Sequence, residues 1–234
     1  MDVRNKTDIG PMFDSIAWRY DFLNHFLSFG IDRYWRREAI SKIKGDFRNP
    51  AIIDVATGTG DLAIEAVTIS PSKITGIDIS EKMLELGRQK IKAKDLGNFI
   101  EFIKCDSENI CFGDGTFDVA MVAFGVRNFA DPLRGISEMR RVIRSGGLIV
   151  ILEFSRPDGF IFKHIYNIYF RNLLPFIGSL FSRHRNAYKY LNESVMKFAD
   201  NEGFLQLMLE AGFSEVSQTR LTRGIASIYT GIKK

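Results

Sequence analysis

Five short apolar runs, separated by helical patterns, constrain the fold of this 234-residue chain more than any other feature. The runs read AIIDVAT, KITGIDI, IEFIKCD, FDVAMVAF and GGLIVILEFS, and they begin at residues 51, 73, 100, 117 and 146. Continuous apolar runs of this length are typical of strands that are covered on both faces of a sheet. Helical patterns between them cover Asp61–Ile69, Glu81–Lys94 and Pro132–Ile143. The alternation predicts a parallel, doubly wound α/β sheet.

The segments that flank these runs complete the prediction of a single domain over the whole chain, 1–234. Two short helices with a break at Gly30 form an expected N-terminal helical cap over 1–48, followed by a βα core over 49–155. An aromatic-rich stretch predicts a helical insertion over 156–200, placed to bind substrate or to act as a lid. A helix and two strand-like runs in 201–234 predict an antiparallel edge, so the sheet is expected to have seven strands, most of them parallel.

Charge and cysteine content exclude several classes of protein. The formal net charge of +4 is scattered along the chain, which argues against a nucleic-acid partner. Cys105 and Cys111 have neither CxxC spacing nor neighbouring histidine pairs, so we expect no disulfide framework, no metal site and a reducing compartment. No window is long and apolar enough to span a membrane. A cytoplasmic protein is expected, while peripheral contact with the inner face of the membrane and a homodimer are left open.

A glycine-rich turn after the first strand carries the first binding signal. Gly58, Gly60 and Ala63 match the dinucleotide fingerprint, and Asp78 ends the second strand 20 positions after Gly58, where a carboxylate accepts ribose hydroxyls. The alternative is a turn that needs its glycines only for backbone geometry. NAD and S-adenosylmethionine (SAM) both fit this pattern.

Acidic and polar residues around the turn favour SAM over NAD. Asp54 and Asp61 place two carboxylates beside the glycines, which suits a cationic sulfonium and amino group better than a pyrophosphate. Asp106 and Ser107 end the third strand, where they are expected to meet an adenine edge. Asp61 has an equally good alternative role as a helix cap.

Three stretches resemble the menaquinone/ubiquinone C-methyltransferase family. Tyr20–Trp35 resembles the first signature of that family, Arg141–Ser155 its second, and Phe124–Phe129 the segment after its fourth strand. The resemblance extends over nearly the whole chain. Two departures concern the site: Asp32 stands where the family usually has histidine, and Ala123 where it often has a serine that contacts the cofactor.

The resemblance implies the Rossmann-like class I methyltransferase fold, SAM as cofactor and SAM-dependent methylation of the ring of a prenylated quinol. Demethylmenaquinol is the favoured substrate, and the benzoquinol precursor of ubiquinone is the alternative. Family contacts carried over by position fall on the glycine loop and on the ends of the second and third strands. Together with the loop residues themselves, the expected cofactor-binding residues are Asp54, Gly58, Thr59, Gly60, Asp78, Asp106 and Ser107.

Arg127 and Asn128 are expected beside the methyl donor, because they follow the fourth strand and ligands bind beyond the carboxyl ends of such strands. A quinol ring carbon becomes a better nucleophile when a hydroxyl loses its proton. We expect Arg127 to stabilise the phenolate, directly or through a water, and Asn128 to orient the ring or the methionine part of the cofactor. The alternative for Arg127 is a packing ion pair with Asp131 or Glu153.

Two aromatic segments are expected to cover the substrate. Tyr20 and Asp21 lie on the first helix, where they would close a lid over both ligands and take part in catalysis, unless that helix only packs on the sheet. The insertion has a helical stripe that belongs either to the core or to the cover of a polyprenyl tail or a membrane contact. The stripe consists of Phe162, Ile165, Tyr166, Tyr169, Phe170 and Leu173.

Other functions remain open at this point. A methyltransferase that acts on sterols or fatty acids would share the cofactor half of the sequence. An NAD-dependent oxidoreductase would share the glycines and Asp78, but the chain has no Tyr-x-x-x-Lys arrangement at Tyr166. A non-catalytic cofactor-binding module is the third alternative.

Overall fold

The computed structural model of the chain describes residues 11, 14, 30–43, 45, 47–155 and 201–234, and every structural statement below concerns these residues. Tyr20, Asp21 and the aromatic stripe of the insertion lie outside the described residues. The predicted division into a cap, a core, an insertion and a closing unit therefore stays a prediction.

Five helices and seven strands alternate along the described chain. The helices are α1 (Ile31–Ser41), α2 (Asp61–Ala66), α3 (Glu81–Ala93), α4 (Pro132–Val142) and α5 (Glu202–Glu210). The strands are β1 (Ala51–Val55), β2 (Lys73–Asp78), β3 (Ile100–Lys104), β4 (Phe117–Ala123), β5 (Ile143–Phe154), β6 (Ser214–Leu221) and β7 (Ala226–Ile232). Short 3-10 turns lie at Val67–Ile69, Val126–Asn128 and Thr222–Gly224.

The helix boundaries follow from local chemistry. Ser80 caps α3, because its hydroxyl oxygen accepts a hydrogen bond from the backbone N–H of Met83 at 3.2 Å. Asp131 caps α4 in the same way from the N–H of Arg134, with Pro132 in the first turn, where its missing N–H costs nothing. Gly30 holds the cap position before α1 with a left-handed φ of 74°, a conformation that glycine adopts readily.

The seven strands form one sheet in the order β3-β2-β1-β4-β5-β7-β6. Strands β3, β2, β1, β4 and β5 pair in parallel, whereas β7 is antiparallel to both β5 and β6. The prediction of a mostly parallel seven-stranded sheet with an antiparallel edge is confirmed. Strand order reverses between β1 and β4, and a crevice forms beyond the carboxyl ends of strands at such a point.

Apolar side chains cover both faces of the sheet, as the continuous runs predicted. Alternate residues of each strand point to opposite faces, so Ile52 and Ile53 belong to different clusters. One cluster packs against α1, α2 and α3, and the other against α4 and α5. Because helices cover both faces, a ligand can reach the parallel sheet at the carboxyl ends of its strands.

The described residues contain neither a membrane-spanning helix nor a cluster of metal ligands. None of the described helices is long and apolar enough to cross a membrane. No group of three or more histidine, cysteine, aspartate or glutamate side chains in the described part of the chain could hold a metal ion.

The contact between α5 and β7 provides a test of the packing. Phe204 is fully buried and lies 4.5 Å from the Tyr229 ring, measured between ring centroids. We expect Phe204→Ala to lower the free energy of unfolding by about 3–5 kcal/mol, because it removes the ring and leaves a cavity. Leu209→Ala is the control on the same helix, since Leu209 is 46% exposed, and we expect a change within about 0.5 kcal/mol. Urea unfolding measures both, and equal losses would contradict the described packing of α5.

Candidate functional site

The loop between β1 and α2 turns sharply over the end of β2. Its backbone is held by hydrogen bonds from the N–H of Thr57 to the carbonyl of Ile77 and from the N–H of Gly60 to the carbonyl of Thr57, both at 2.9 Å. Gly58 and Gly60 have φ values of 58° and 84°, in the left-handed region that favours glycine. A Cβ on Gly60 would also lie only 2.4 Å from the Phe102 ring. The backbone geometry of this loop therefore requires glycine at positions 58 and 60, and Gly58 also lines the cavity.

Asp78 connects this loop to the start of α3. One carboxylate oxygen accepts the N–H of Gly58 at 2.9 Å, and the other accepts the N–H of Ser80 at 2.8 Å. Burial raises the pKa of Asp78, and the two backbone N–H groups oppose that rise. Each carboxylate oxygen has acceptor capacity for a second donor, so these bonds orient the group without using it up. Asp78 also lines the cavity at this edge of the sheet.

Asp54, at the end of β1, is a carboxylate buried with only one of its oxygens satisfied. It is 1% exposed, and its Oδ2 accepts the hydroxyl of Thr57 at 2.6 Å. Its Oδ1 is buried and accepts no hydrogen bond within 3.5 Å among the described residues, although the backbone N–H of Ala63 lies near enough to the carboxylate to lower its pKa. Burial raises the pKa of Asp54 to about 7, because desolvation disfavours the charged form. A cationic group placed beside Asp54 would offset that cost.

The segment after β3 supplies the next part of the cavity wall. Asp106 and Ser107 both line the cavity, as does Glu108, which the sequence analysis did not select. The N–H of Glu108 donates to Oδ1 of Asp106 at 2.9 Å, and a Glu108 oxygen accepts the N–H of Ala130 at 2.8 Å. Glu108 directly follows Asp106 and Ser107 in the sequence, and this adjacency could have predicted that it lines the cavity as well.

The segment after β4 closes the cavity on the other side. Phe124 and Asn128 line it, and the amide of Asn128 donates to the carbonyl of Phe124 at 3.4 Å. Phe124 has a φ of 57°, an uncommon conformation for a bulky residue and one that often marks a functional site. Ala123, named above as the position of an absent serine contact, lines the cavity as well. Further apolar residues of the lining were not expected from the sequence, because they resemble ordinary core residues: Ala56, Ile79, Met83, Cys105, Phe129 and Ala130.

Arg127 is buried behind this wall rather than on it. Its guanidinium forms an ion pair with Glu153 at 2.6 Å, so the pairing with Glu153 is present and Asp131 serves as the cap of α4. The rings of Phe124 and Phe154 lie 5.9 and 5.3 Å from its guanidinium carbon. The buried Nε of Arg127 has no hydrogen-bond partner among the described residues. A buried N–H donor without an acceptor costs about 1–3 kcal/mol, which an incoming oxygen would recover.

Thr59 and Asp61 lie beside the glycines but do not line the cavity. The ammonium group of Lys90 donates to the Thr59 hydroxyl and to the Asp61 carboxylate, each at 2.8 Å. Arg36 of α1 lies 3.5 Å from Asp61 and also pairs with Asp32. Gly60 holds the cap position of α2, and Asp61 follows it. The structure thus places Asp61 in an ion network rather than at the cap.

The two cysteines form a pair, which corrects the sequence-based expectation. Cys105 and Cys111 are disulfide-bonded, with their Cα atoms 6.1 Å apart, inside the range that a disulfide bridges. The expectation of no disulfide was wrong, because neither CxxC spacing nor the absence of histidine pairs excludes a bond between cysteines six positions apart. A tight turn between β3 and β4 brings the two residues together.

The strand order and the cavity define a class I methyltransferase fold. A SAM-dependent methyltransferase of Thermotoga maritima superposes with a TM-score of 0.67 at 21% sequence identity, covering 96% of this chain and 99% of that one. The [4+2]-cyclase SpnF superposes with a TM-score of 0.63 at 14% identity, covering 96% of this chain and 95% of that one. A cyclase among these structures shows that the fold alone does not decide the reaction.

The family follows from sequence. The model of the ubiE/COQ5 methyltransferase family matches residues 1–233, and the chain belongs to that family. It is 50% identical over 227 residues to the ubiquinone/menaquinone biosynthesis C-methyltransferase UbiE of Geotalea daltonii, covering 96% of each chain. It is 45% identical over 233 residues to the demethylmenaquinone methyltransferase of Bacteroides fragilis, covering 99% of this chain and 95% of the relative.

The raised pKa of Asp54 predicts a pH dependence of stability. The folded protein binds the Asp54 proton more tightly than the unfolded chain, whose reference pKa is 3.8. The contribution of Asp54 is therefore greatest below pH about 4 and is lost as the pH rises to about 7. We expect the unfolding free energy of the unmodified protein, minus that of Asp54→Asn, to fall by up to about 4 kcal/mol across this range.

Urea unfolding at a series of pH values measures this difference. Asp95→Asn is the control, because Asp95 is exposed on the surface, and its curve is expected to run parallel to that of the unmodified protein. Parallel curves for Asp54→Asn as well would show that folding leaves the pKa of Asp54 unchanged, which contradicts the raised pKa.

Proposed function

We propose that the chain is a SAM-dependent C-methyltransferase that methylates the ring of a prenylated quinol, with demethylmenaquinol as the favoured substrate. The observation that carries this proposal is the cavity at the strand ends. It is lined by the carboxylates of Asp78, Asp106 and Glu108 and by the rings of Phe124 and Phe129. Family membership supports the transferase activity. Menaquinone occurs in the names of both relatives and ubiquinone in only one of them, which favours a naphthoquinol ring over a benzoquinol ring.

The residues around the cavity fit SAM. Asp78 and Asp106 supply acceptors suited to ribose hydroxyls and to the exocyclic amine of adenine, and Ile79 and Met83 supply apolar surface. Asp54 has an unsatisfied buried oxygen near the glycine loop, which suits the positive charge of the cofactor. Gly58 and Ser107 are placed along the same wall. The Thr59 hydroxyl contacts Lys90 and Gly60 packs against Phe102, which supports a role for both residues in shaping the loop rather than in contacting the cofactor through a side chain.

The bound cofactor supplies an electrophilic methyl group on a sulfonium. On the protein side, the task is to hold a quinol ring carbon in line with that group and to stabilise the ring as a phenolate. The carbon–methyl bond forms as the sulfur–methyl bond breaks, and the ring carbon then loses its proton. Asn128 lies on the cavity wall, where an amide can orient either partner.

Arg127 is proposed to stabilise the phenolate. Glu153 holds the guanidinium in one orientation, because its carboxylate accepts from Nη1 of Arg127 at 2.6 Å and from the Phe154 N–H at 2.9 Å. The Nε–H of Arg127 has no partner among the described residues, and a phenolate oxygen, directly or through a water, would provide one. The Phe124 and Phe154 rings, with centroids 4.6 Å apart, offer an aromatic surface beside it.

The direct test is a transfer assay. The protein is incubated with SAM labelled in its methyl group and with either reduced demethylmenaquinone or the demethylated benzoquinol precursor. Label is expected in the naphthoquinol product at a higher kcat/KM than in the benzoquinol product. The reverse preference would assign the benzoquinol, and label in neither would remove the proposed substrate class.

Asp78 provides a test of cofactor binding. We expect Asp78→Ala to weaken SAM binding by roughly 2–4 kcal/mol, because charge-assisted hydrogen bonds are lost and the loop loses its anchor. Calorimetry measures the affinity. Glu85→Ala is the control, since Glu85 is a well-exposed carboxylate on α3. Unchanged affinity, or tight binding of NAD by the unmodified protein, would overturn the proposed cofactor.

Arg127 provides a test of catalysis. Arg127→Lys keeps a cation opposite Glu153 but removes the Nε–H donor, so no buried carboxylate is left unpaired. We expect kcat to fall about 100-fold while the SAM dissociation constant changes less than about twofold. Arg144→Lys is the matched control, because Arg144 forms an ion pair with Asp118 on the surface. Turnover within about threefold of normal would remove Arg127 from the reaction.

A further inference from the structure

The Cys105–Cys111 pair encloses the segment that forms one wall of the cavity. The pair brackets Asp106 and Ser107, both of which line the cavity, and Cys105 lines it as well. Cys105 is buried, whereas Cys111 is exposed. A thiol-reactive molecule in solution can therefore reach one end of the pair, while the other end contacts the space in which a ligand would bind.

The turn between the two cysteines holds them together by contacts other than the sulfur–sulfur bond. The N–H of Cys111 donates to Sγ of Cys105 at 2.9 Å, and the N–H of Asn109 donates to the carbonyl of Asp106 at 3.2 Å. Outside the turn, the N–H of Ile110 donates to Glu138 at 2.8 Å. Because these contacts do not depend on the sulfur–sulfur bond, we expect them to keep the sulfurs close when the bond is open and so to favour its formation.

We propose that Cys105 and Cys111 form a thiol–disulfide modification site that tunes cofactor affinity and exchanges with low-molecular-weight thiols and disulfides. The Cys111 thiolate attacks an external disulfide, which gives a mixed disulfide on Cys111 and releases one thiolate. The Cys105 thiolate then attacks the Cys111 sulfur and releases the second thiolate. The protein loses two electrons and two thiol protons, and the external disulfide becomes two thiols.

The direction of the effect follows from chain entropy. The bond closes a ring of residues 105–111, so the bonded segment has fewer conformations to lose when Asp106 and Ser107 contact a ligand. The bonded form is therefore the tighter binder, and we expect about fivefold weaker SAM binding after reduction. By reciprocity, SAM shifts the thiol–disulfide equilibrium toward the bonded form by the same factor. This inference rests on the proposed position of the cofactor in the cavity.

The test uses the full chain in buffers with a graded ratio of oxidised to reduced glutathione. Free thiols are alkylated with N-ethylmaleimide and counted by intact mass, and SAM affinity is measured by calorimetry on each form. We expect both thiols to disappear together as the ratio rises, and SAM to move the midpoint about fivefold. Cys111→Ser, at an exposed position, is expected to bind SAM like the reduced protein at every ratio.

Two results would overturn the proposal. Two alkylatable thiols at every ratio would show that the pair does not form, and equal SAM affinity in both forms would show that it does not act on the cavity. Failure of the proposed cofactor is distinguishable, because neither form would then bind SAM while the thiol count would still report on the pair.

Discussion

The parallel pairing of β1 with β2 on one side and β4 on the other is the constraint on which the rest of the site depends. It brings the loops that follow β1, β2 and β4 to the same edge of the sheet. Asp78 then ties two of these loops together through the N–H groups of Gly58 and Ser80. Without this pairing, residues more than 20 positions apart along the chain would have no reason to share a cavity.

Two buried polar atoms near the cavity form no hydrogen bond within the described part of the chain. Oδ1 of Asp54 and Nε of Arg127 have no partners among the described residues, although nearly all buried polar groups in proteins are paired. One is an acceptor near the glycine loop, and the other is a donor behind Phe124. A cationic cofactor and an anionic substrate oxygen are the complementary pair of ligands. The reaction proposed for this family member needs both.

The ion network on the outer side of the glycine loop has a different role. Lys90 of α3 and Arg36 of α1 converge on Asp61, so the loop is tied to both helices by residues that do not line the cavity. Asp32, which stands where the family usually has histidine, pairs with Arg36 in this network. The Asp32–Arg36 pair lies within α1 and holds the guanidinium that reaches Asp61, and Asp32 does not line the cavity.

The sequence by itself determined the sheet, the glycine loop and the placement of Asp78, Asp106, Ser107 and Asn128 at one edge. Each of these residues lies at the end of a recognisable strand or within five residues after it, and parallel strands end together. Only the tertiary structure decided the partners of Arg127, Thr59 and Asp61, and the pairing of Cys105 with Cys111. Ion pairs and hydrogen bonds depend on which side chains packing brings within about 3 Å, and hydrophobic periodicity carries no information at that scale.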